Sequence, residues 1–297
     1  MAKWNEEYIS DQSGKLAIIT GASSGIGLEA AKILAKKNSN LILAVKNIKK
    51  TKNLIKDFGN YNGDISIINL DLANLSSVKN CSQEILSRFS RIDRLINNAG
   101  IMACPFSNTS DGFEIQMGTN HLGHFALTAY LFPTLSKTKD SRIVNVSSIA
   151  HNSGNINFED INWSKRKYKT WSAYSDSKLA NLLFTYEFAR RMENKYSSPI
   201  IVASHPGYTD TDLQRHSKFF KFTNKFIAQR VEVGALASLR AAFDKKAKNG
   251  YYYGSPNFFQ MFGHPEKVNS NKLSYNEKIA KKLWRISEEL TDLNFDF

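Results

Sequence analysis

Thr20-Gly21-Ala22-Ser23-Ser24-Gly25-Ile26-Gly27 stands where the apolar run 16–20 gives way to a helical pattern. The spacing G-x-x-x-G-x-G meets the demands of a strand-to-helix turn: a tight bend, close backbone approach, and a helix start packed on the strand. Working outward, strand-length apolar runs at 16–20, 41–45, 65–70, 94–97, 142–147 and 200–204 alternate with helical periods at 24–37, 48–58, 75–89, 111–135 and 172–194. Residues 251–253 read as a further strand, and 276–290 as a closing helix with Ile279, Leu283, Ile286 and Leu290 on one side. Repeated βαβ units of this kind build a parallel sheet.

The expected fold class is therefore α/β: a single-domain, Rossmann-type, doubly wound parallel sheet of about seven strands with helices on both faces. No repeat, Pro-rich linker or composition break interrupts the series, so one domain over 1–297 is expected. The chain has 297 residues, 42% hydrophobic and 23% charged, which are globular proportions and exclude a collagenous, low-complexity or wholly disordered chain. Cys81 and Cys104 are the only cysteines and can build neither a disulfide framework nor a Cys-based zinc site. No metal is expected. Residues 1–13 lack the apolar core of a signal peptide, and no stretch has the uninterrupted apolar length of a membrane span. A cytoplasmic protein is the expectation. The net charge of +13 is spread over 46–56, 165–169, 218–225 and 245–248. It reads as a solvated surface, with a nucleic-acid or acidic-membrane face as the sharper alternative; no nucleic-acid partner is expected.

A helix that begins in such a glycine turn presents unpaired N–H groups and a positive dipole end to a pyrophosphate. Gly21, Ser23, Ser24, Gly25, Ile26 and Gly27 are the expected dinucleotide contacts. Where an NAD site carries an acid for the ribose 2′-hydroxyl, at the end of the second strand, this chain reads Ala44-Val45-Lys46-Asn47. A cation there attracts a 2′-phosphate, so NADP is expected over NAD with Lys46 as the contact; the alternative is a solvated lysine in a lysine-rich helix.

Tyr174 and Lys178 are four apart in a helical segment and share a face. An ammonium one turn away favours the phenolate, drawing tyrosine down from about 10 toward the pH of a proton-transfer catalyst. The run 142–148 reads as a buried strand emptying into a loop, where a hydroxyl can point at a carbonyl oxygen. Together with the glycine turn, Asn97-Asn98-Ala99-Gly100, Asn120, Ser147-Ser148, Tyr174-Ser175-Asp176-Ser177-Lys178 and Pro206-Gly207 resemble the short-chain dehydrogenase/reductase family in order and spacing over nearly the whole chain. The pattern is closest to the group of retinol dehydrogenases, the WW-domain oxidoreductase and protochlorophyllide reductase.

That resemblance implies an NAD(P)-dependent oxidoreductase acting on CH–OH or C=O. Tyr174 would exchange a proton with the substrate oxygen, Lys178 would assist it and hold the nicotinamide ribose, and Ser148 would be the catalytic serine, with Ser147 structural. Asn120 would anchor a water beside the lysine; the rival reading is a helix-distorting polar residue satisfied in the core. Asp71, Leu72, Asn98, Ala99 and Gly100 would lie on the adenosine side, and Pro206, Gly207 and Thr209 near the nicotinamide. His121 and His124 invite a metal reading, but packing is favoured because no carboxylate partner is evident.

Residues 149–173 form a loop about twice the usual family interval, and with 208–230 they are expected to cover the substrate site. Phe158, Trp163, Tyr168 and Trp171, then Leu213, Phe219, Phe220, Phe222 and Phe226, make an apolar carbonyl or alcohol of retinoid-, steroid- or prenoid-like character the expected substrate; the plainer alternative is that these rings pack the loops. A catalytically idle nucleotide-binding regulator and a light-dependent protochlorophyllide-type reductase are the other readings. A homodimer through the helices near Asp111 and Tyr174 is one expectation, and a monomer favoured by the extended C-terminus at 269–297 is the other.

Overall fold

The computed structural model describes residues 3–193, 199–208 and 229–297. Leu16–Thr20 forms β1 and is buried along its whole length, as a strand covered on both faces must be. Asn40–Val45 (β2), Ile65–Asn69 (β3), Arg94–Asn97 (β4), Arg142–Val146 (β5), Ile200–Ser204 (β6), Tyr252–Gly254 (β7) and Glu266–Val268 (β8) complete one sheet in the order β3-β2-β1-β4-β5-β6-β7-β8. Pairing is parallel from β3 across to β7, and antiparallel between β7 and β8, where Tyr252 lies opposite Val268. The sheet thus has eight strands rather than about seven, because three residues with a mostly exposed face carry no alternation from which β8 could be read.

Successive side chains of each strand enter opposite cores. Ile18, Ile42, Leu95 and Ile143 face α3 (Leu75–Arg88), α5 (Gly123–Lys137) and α6 (Thr170–Met192). Ile19, Leu43, Ile96 and Val144 face α1 (Gly25–Lys36) and α7 (Val231–Phe243), a helix that the apolar alternation did not anticipate. The helix expected at 48–58 is α2 (Ile48–Leu54) followed by a 3-10 turn, Ile55–Phe58. The helix expected from residue 111 starts only at α4 (Ile115–Met117), then widens into a π-turn, Gly118–Leu122, before α5. Strand order reverses between β1 and β4, and the crevice at the carboxyl ends of such strands is where open α/β sheets bind ligands.

The closing helix α8 (Glu277–Thr291) buries Ala280, Leu283, Trp284, Ser287 and Thr291. The stripe centres on Trp284, leaving Ile279, Ile286 and Leu290 half-buried at its margin. The indole sits 5.4 Å from Phe125, 5.6 Å from Phe184 and 4.9 Å from Phe295, ring centre to ring centre. The chain's own C-terminal segment therefore covers the aromatic face of α5 and α6. No helix among the described residues is long and apolar enough to cross a membrane. Trp284→Ala removes the centre of this cluster and is expected to lower the unfolding free energy by about 3–5 kcal/mol. Urea denaturation measures it, and a loss below 1 kcal/mol, roughly that of an exposed side chain, contradicts the packing role.

Candidate active site

β1 ends at Thr20, and its hydroxyl accepts the N–H groups of Asn98 and Ala99 at 2.9 Å each, drawing the ends of β1 and β4 together. Asn98 Nδ2 returns a bond to the Thr20 carbonyl at 2.9 Å. This closeness explains the glycines. Gly21 has φ +69°, and a Cβ there would lie 2.8 Å from Ala99 Cα; a Cβ at Gly27 would lie 2.8 Å from the Gly21 carbonyl oxygen. α1 then begins with Ser24 as N-cap, and Ser24 makes no side-chain capping bond. First-turn N–H groups unclaimed by a cap, with no acidic residue in that turn, match the donor set that a pyrophosphate needs.

Across the crevice, Tyr174 and Lys178 project from α6 and are 5% and 4% exposed. Lys178 Nζ donates to the Val146 carbonyl at 3.1 Å and lies 5.7 Å from the Tyr174 ring centre. Burial pushes Lys178 down to about 8 and Tyr174 up to about 12. The phenol shares a hydrogen bond with the Ser148 hydroxyl, which lowers it only in part. Here the structure corrects the expectation drawn from spacing: desolvation of a buried phenol outweighs the ammonium one turn away, so Tyr174 is the protonated form at neutral pH. Ser148 also accepts from Ala150 N–H at 3.2 Å, capping a 3-10 turn, Ile149–Ser153. The Ser147 hydroxyl donates to the Lys178 carbonyl at 2.8 Å and is buried.

A cavity of about 1170 Å³ joins the two halves. Gly21, Ser23, Ser24, Gly25, Ile26, Gly27, Lys46, Asp71, Leu72, Asn98, Ala99, Gly100, Ser148, Tyr174, Lys178, Pro206 and Gly207 all line it. Thr209, Leu213, Phe219, Phe220, Phe222 and Phe226 lie outside the described residues. Asn120 is fully buried behind Gly100: its Oδ1 accepts from Ile101 N–H at 2.8 Å, and its Nδ2 donates to the Ile101 carbonyl at 3.0 Å and to Ser177 Oγ at 2.9 Å. A Cβ on Gly100 would lie 3.1 Å from Asn120 Oδ1 and 3.4 Å from Lys178 Nζ, so the three converge without Asn120 reaching the cavity wall. Lys46 does not stand alone: it pairs with Asp71 at 2.6 Å, its own side chain 75% exposed.

The long loop supplies less aromatic surface to the cavity than expected. Trp171 lines it, but Trp163 is buried under the Arg166 guanidinium, 3.5 Å from its ring, and Phe158 packs toward α8. Tyr168 donates to buried Glu114 at 2.7 Å and accepts from Gln116 Nε2 at 2.8 Å, fastening the loop to α4. Sequence reasoning missed Met102, Cys104, Phe106, Phe259 and Met261 in the lining. Residues 101–106 follow the Asn98-Ala99-Gly100 turn at the end of β4, and that position was the available signal; 259 and 261 gave none. Buried His121 and His124 are both pushed far down by burial, to about 3 and about 4, and bond to Ser287 and Thr20.

The sequence profile of the family described as short chain dehydrogenase matches residues 15–219. Human retinol dehydrogenase 13 is 46% identical over 293 residues, covering 94% of this chain and 85% of that protein. A solved protein from Mycobacterium paratuberculosis, 38% identical, matches over 100% of both chains with a TM-score of 0.85. A Shigella flexneri short chain dehydrogenase complexed with NADP shares the fold at a TM-score of 0.65 and 22% identity, over 82% of this chain and 97% of that one. This chain belongs to the short-chain dehydrogenase family. It is an NAD(P)-dependent oxidoreductase acting on an alcohol or carbonyl group.

Asp176, inside the Tyr174-to-Lys178 motif, accepts from Asn155 N–H at 2.7 Å and is pushed up to about 6, chiefly by burial. A raised acid favours the folded state most while protonated, so this contribution is full below about pH 4 and lost as pH rises through about 6. Asp176→Asn keeps the acceptor and removes the ionisation; its stability relative to the parent is expected to rise by about 2 kcal/mol between about pH 4 and 7. A pH-independent difference in urea denaturation contradicts this.

Proposed function

We propose that this chain transfers hydride between NADP and a lipophilic carbonyl or alcohol of retinoid-, steroid- or prenoid-like character, with Tyr174 passing the proton. The observation that carries the reading is the composition of this cavity: its lining brings together the glycine turn with Lys46 and Asp71, the trio Ser148, Tyr174 and Lys178, and the apolar side chains Met102, Cys104, Phe106, Ile149, Trp171 and Phe259. Among the described residues, the lining carries no charged side chain besides Lys46, Asp71 and Lys178, which favours a neutral, apolar guest. The similarity to a protein named retinol dehydrogenase supports the same class.

The uncapped start of α1 and the Gly21–Gly27 turn would hold the pyrophosphate, Lys178 the nicotinamide ribose, and Lys46 the 2′-phosphate. An exposed pair such as Lys46–Asp71 is worth about 1 kcal/mol at most, so Lys46 can exchange its carboxylate for a phosphate. When bound, the nicotinamide supplies or accepts the hydride. Tyr174 OH, kept protonated by burial, gives its proton to the carbonyl oxygen, and Ser148 Oγ, hydrogen-bonded to it, orients that oxygen. Lys178 stabilises the phenolate left behind. Leu72, Asn98, Ala99 and Gly100 would frame the adenosine side, Pro206 and Gly207 the nicotinamide side, and Asn120 holds Ser177 and Ile101 in place beside them.

A panel of aldehydes, ketones and alcohols followed at the nicotinamide absorbance tests the reading. Turnover of long apolar substrates with NADPH is expected; activity confined to small charged carbonyls, or a clear preference for NADH, contradicts it. In the same assay Tyr174→Phe is expected to lower kcat by at least about 10³-fold while NADPH binding persists, since the proton donor is lost and the cofactor contacts are not. A variant as active as the parent removes Tyr174 from the reaction.

A further inference from the structure

We infer that His124 is a positioning residue for the reaction, its imidazole tying the glycine turn at the end of β1 to the π-turn that carries Asn120. The inference rests on the reading that this glycine turn holds NADP. His124 lies in the first turn of α5 and is 3% exposed. Its Nδ1 is 3.1 Å from the Asn120 carbonyl oxygen, and its Nε2 is 2.9 Å from Thr20 Oγ1.

The direction of every proton in this chain follows from the partners. A carbonyl only accepts, so Nδ1 carries the hydrogen. Burial and the nearby Lys178 ammonium hold the imidazole down to about 4, so it has a single N–H and Nε2 is bare. Nε2 therefore accepts from the Thr20 hydroxyl, whose alternative acceptor, the Ile96 carbonyl, is more distant at 3.5 Å. With its hydrogen so committed, Thr20 Oγ1 turns its lone pairs to Asn98 and Ala99 N–H. At the other end, the Asn120 side chain grips Ile101 in both directions and Ser177, the neighbour of Lys178. His121, the next residue to Asn120, bonds instead to Ser287 on α8, away from the crevice. His124 thus ties the cofactor turn directly to the backbone of Asn120, beside the longer route through residues 99–101 and the Asn120 side chain.

Phenylalanine fills the imidazole's space and makes neither bond, whereas glutamine offers one donor and one acceptor. The full chain is compared as parent, His124→Phe, His124→Gln, Thr20→Val and the Thr20→Val/His124→Phe double variant. NADPH affinity is read by fluorescence titration, kcat and carbonyl KM by turnover, and folding by thermal denaturation. His124→Phe is expected to weaken NADPH binding and lower kcat by about tenfold each, to change carbonyl KM by less than about twofold, and to be largely rescued by His124→Gln. In the Thr20→Val background His124→Phe is expected to add less than about twofold, because both act through one chain of bonds. A folded His124→Phe with parental affinity and kcat, a folded His124→Gln as impaired as His124→Phe, or losses that multiply fully in the double variant, overturns the inference while leaving the proposed function standing. A parent that binds no nicotinamide nucleotide contradicts the cofactor reading and this inference with it.

Discussion

An ammonium buried without a counter-charge is the constraint around which this site is arranged. Lys178 is 4% exposed, bonds to the Val146 carbonyl, and forms no ion pair with a carboxylate among the described residues. Desolvation makes such a position costly and pulls the group down to about 8. The position is retained because α6 and the last residues of β5 fix the stem, and because the neighbouring group is a phenol rather than a carboxylate. A carboxylate would neutralise the lysine permanently; a phenol calls on its charge only when a proton leaves.

Holding that pair at the carboxyl edge of the sheet takes a layer of neutral polar side chains beneath it. Asn97 Nδ2 donates to Asn145 Oδ1 at 2.9 Å, Asn145 Nδ2 to Thr185 at 3.0 Å, and Asn181 Nδ2 to the Val146 carbonyl at 3.2 Å. On the other side His151, fully buried, lies 2.6 Å from the Ser148 carbonyl and accepts from Asn271 N–H at 3.2 Å. The C-terminal segment therefore braces the serine turn from outside the sheet. Buried polar groups that are paired in this way fix one arrangement, since any slip leaves a donor or acceptor dry.

The glycine turn, seven of the eight strands and the Tyr174–Lys178 face were legible because each depends on local sequence: apolar runs of strand length, a backbone requirement for glycine, and a four-residue helical spacing. The Lys46–Asp71 pair was not legible, since it joins the ends of two strands whose adjacency only the sheet order reveals. The π-turn at Gly118–Leu122 was hidden inside a continuous helical period. The direction in which Tyr174 shifts depended on burial, which spacing does not report. The aromatics of 149–173 misled for the same reason: Trp163 is buried against Arg166, Tyr168 bonds to Glu114 and Phe158 packs toward α8, and only Trp171 of the four reaches the cavity.

In the proposed reaction, the buried charge of Lys178 is what lets the Tyr174 phenol ionise during turnover. The most direct measurement is the pH profile of kcat for alcohol oxidation at saturating nucleotide, in the parent and in Lys178→Met. Loss of the ammonium leaves burial opposed only by the Ser148 hydroxyl, so the apparent pKa of the rising limb is predicted to move up by at least about one unit. A profile that keeps its midpoint when the charge is gone would contradict the account.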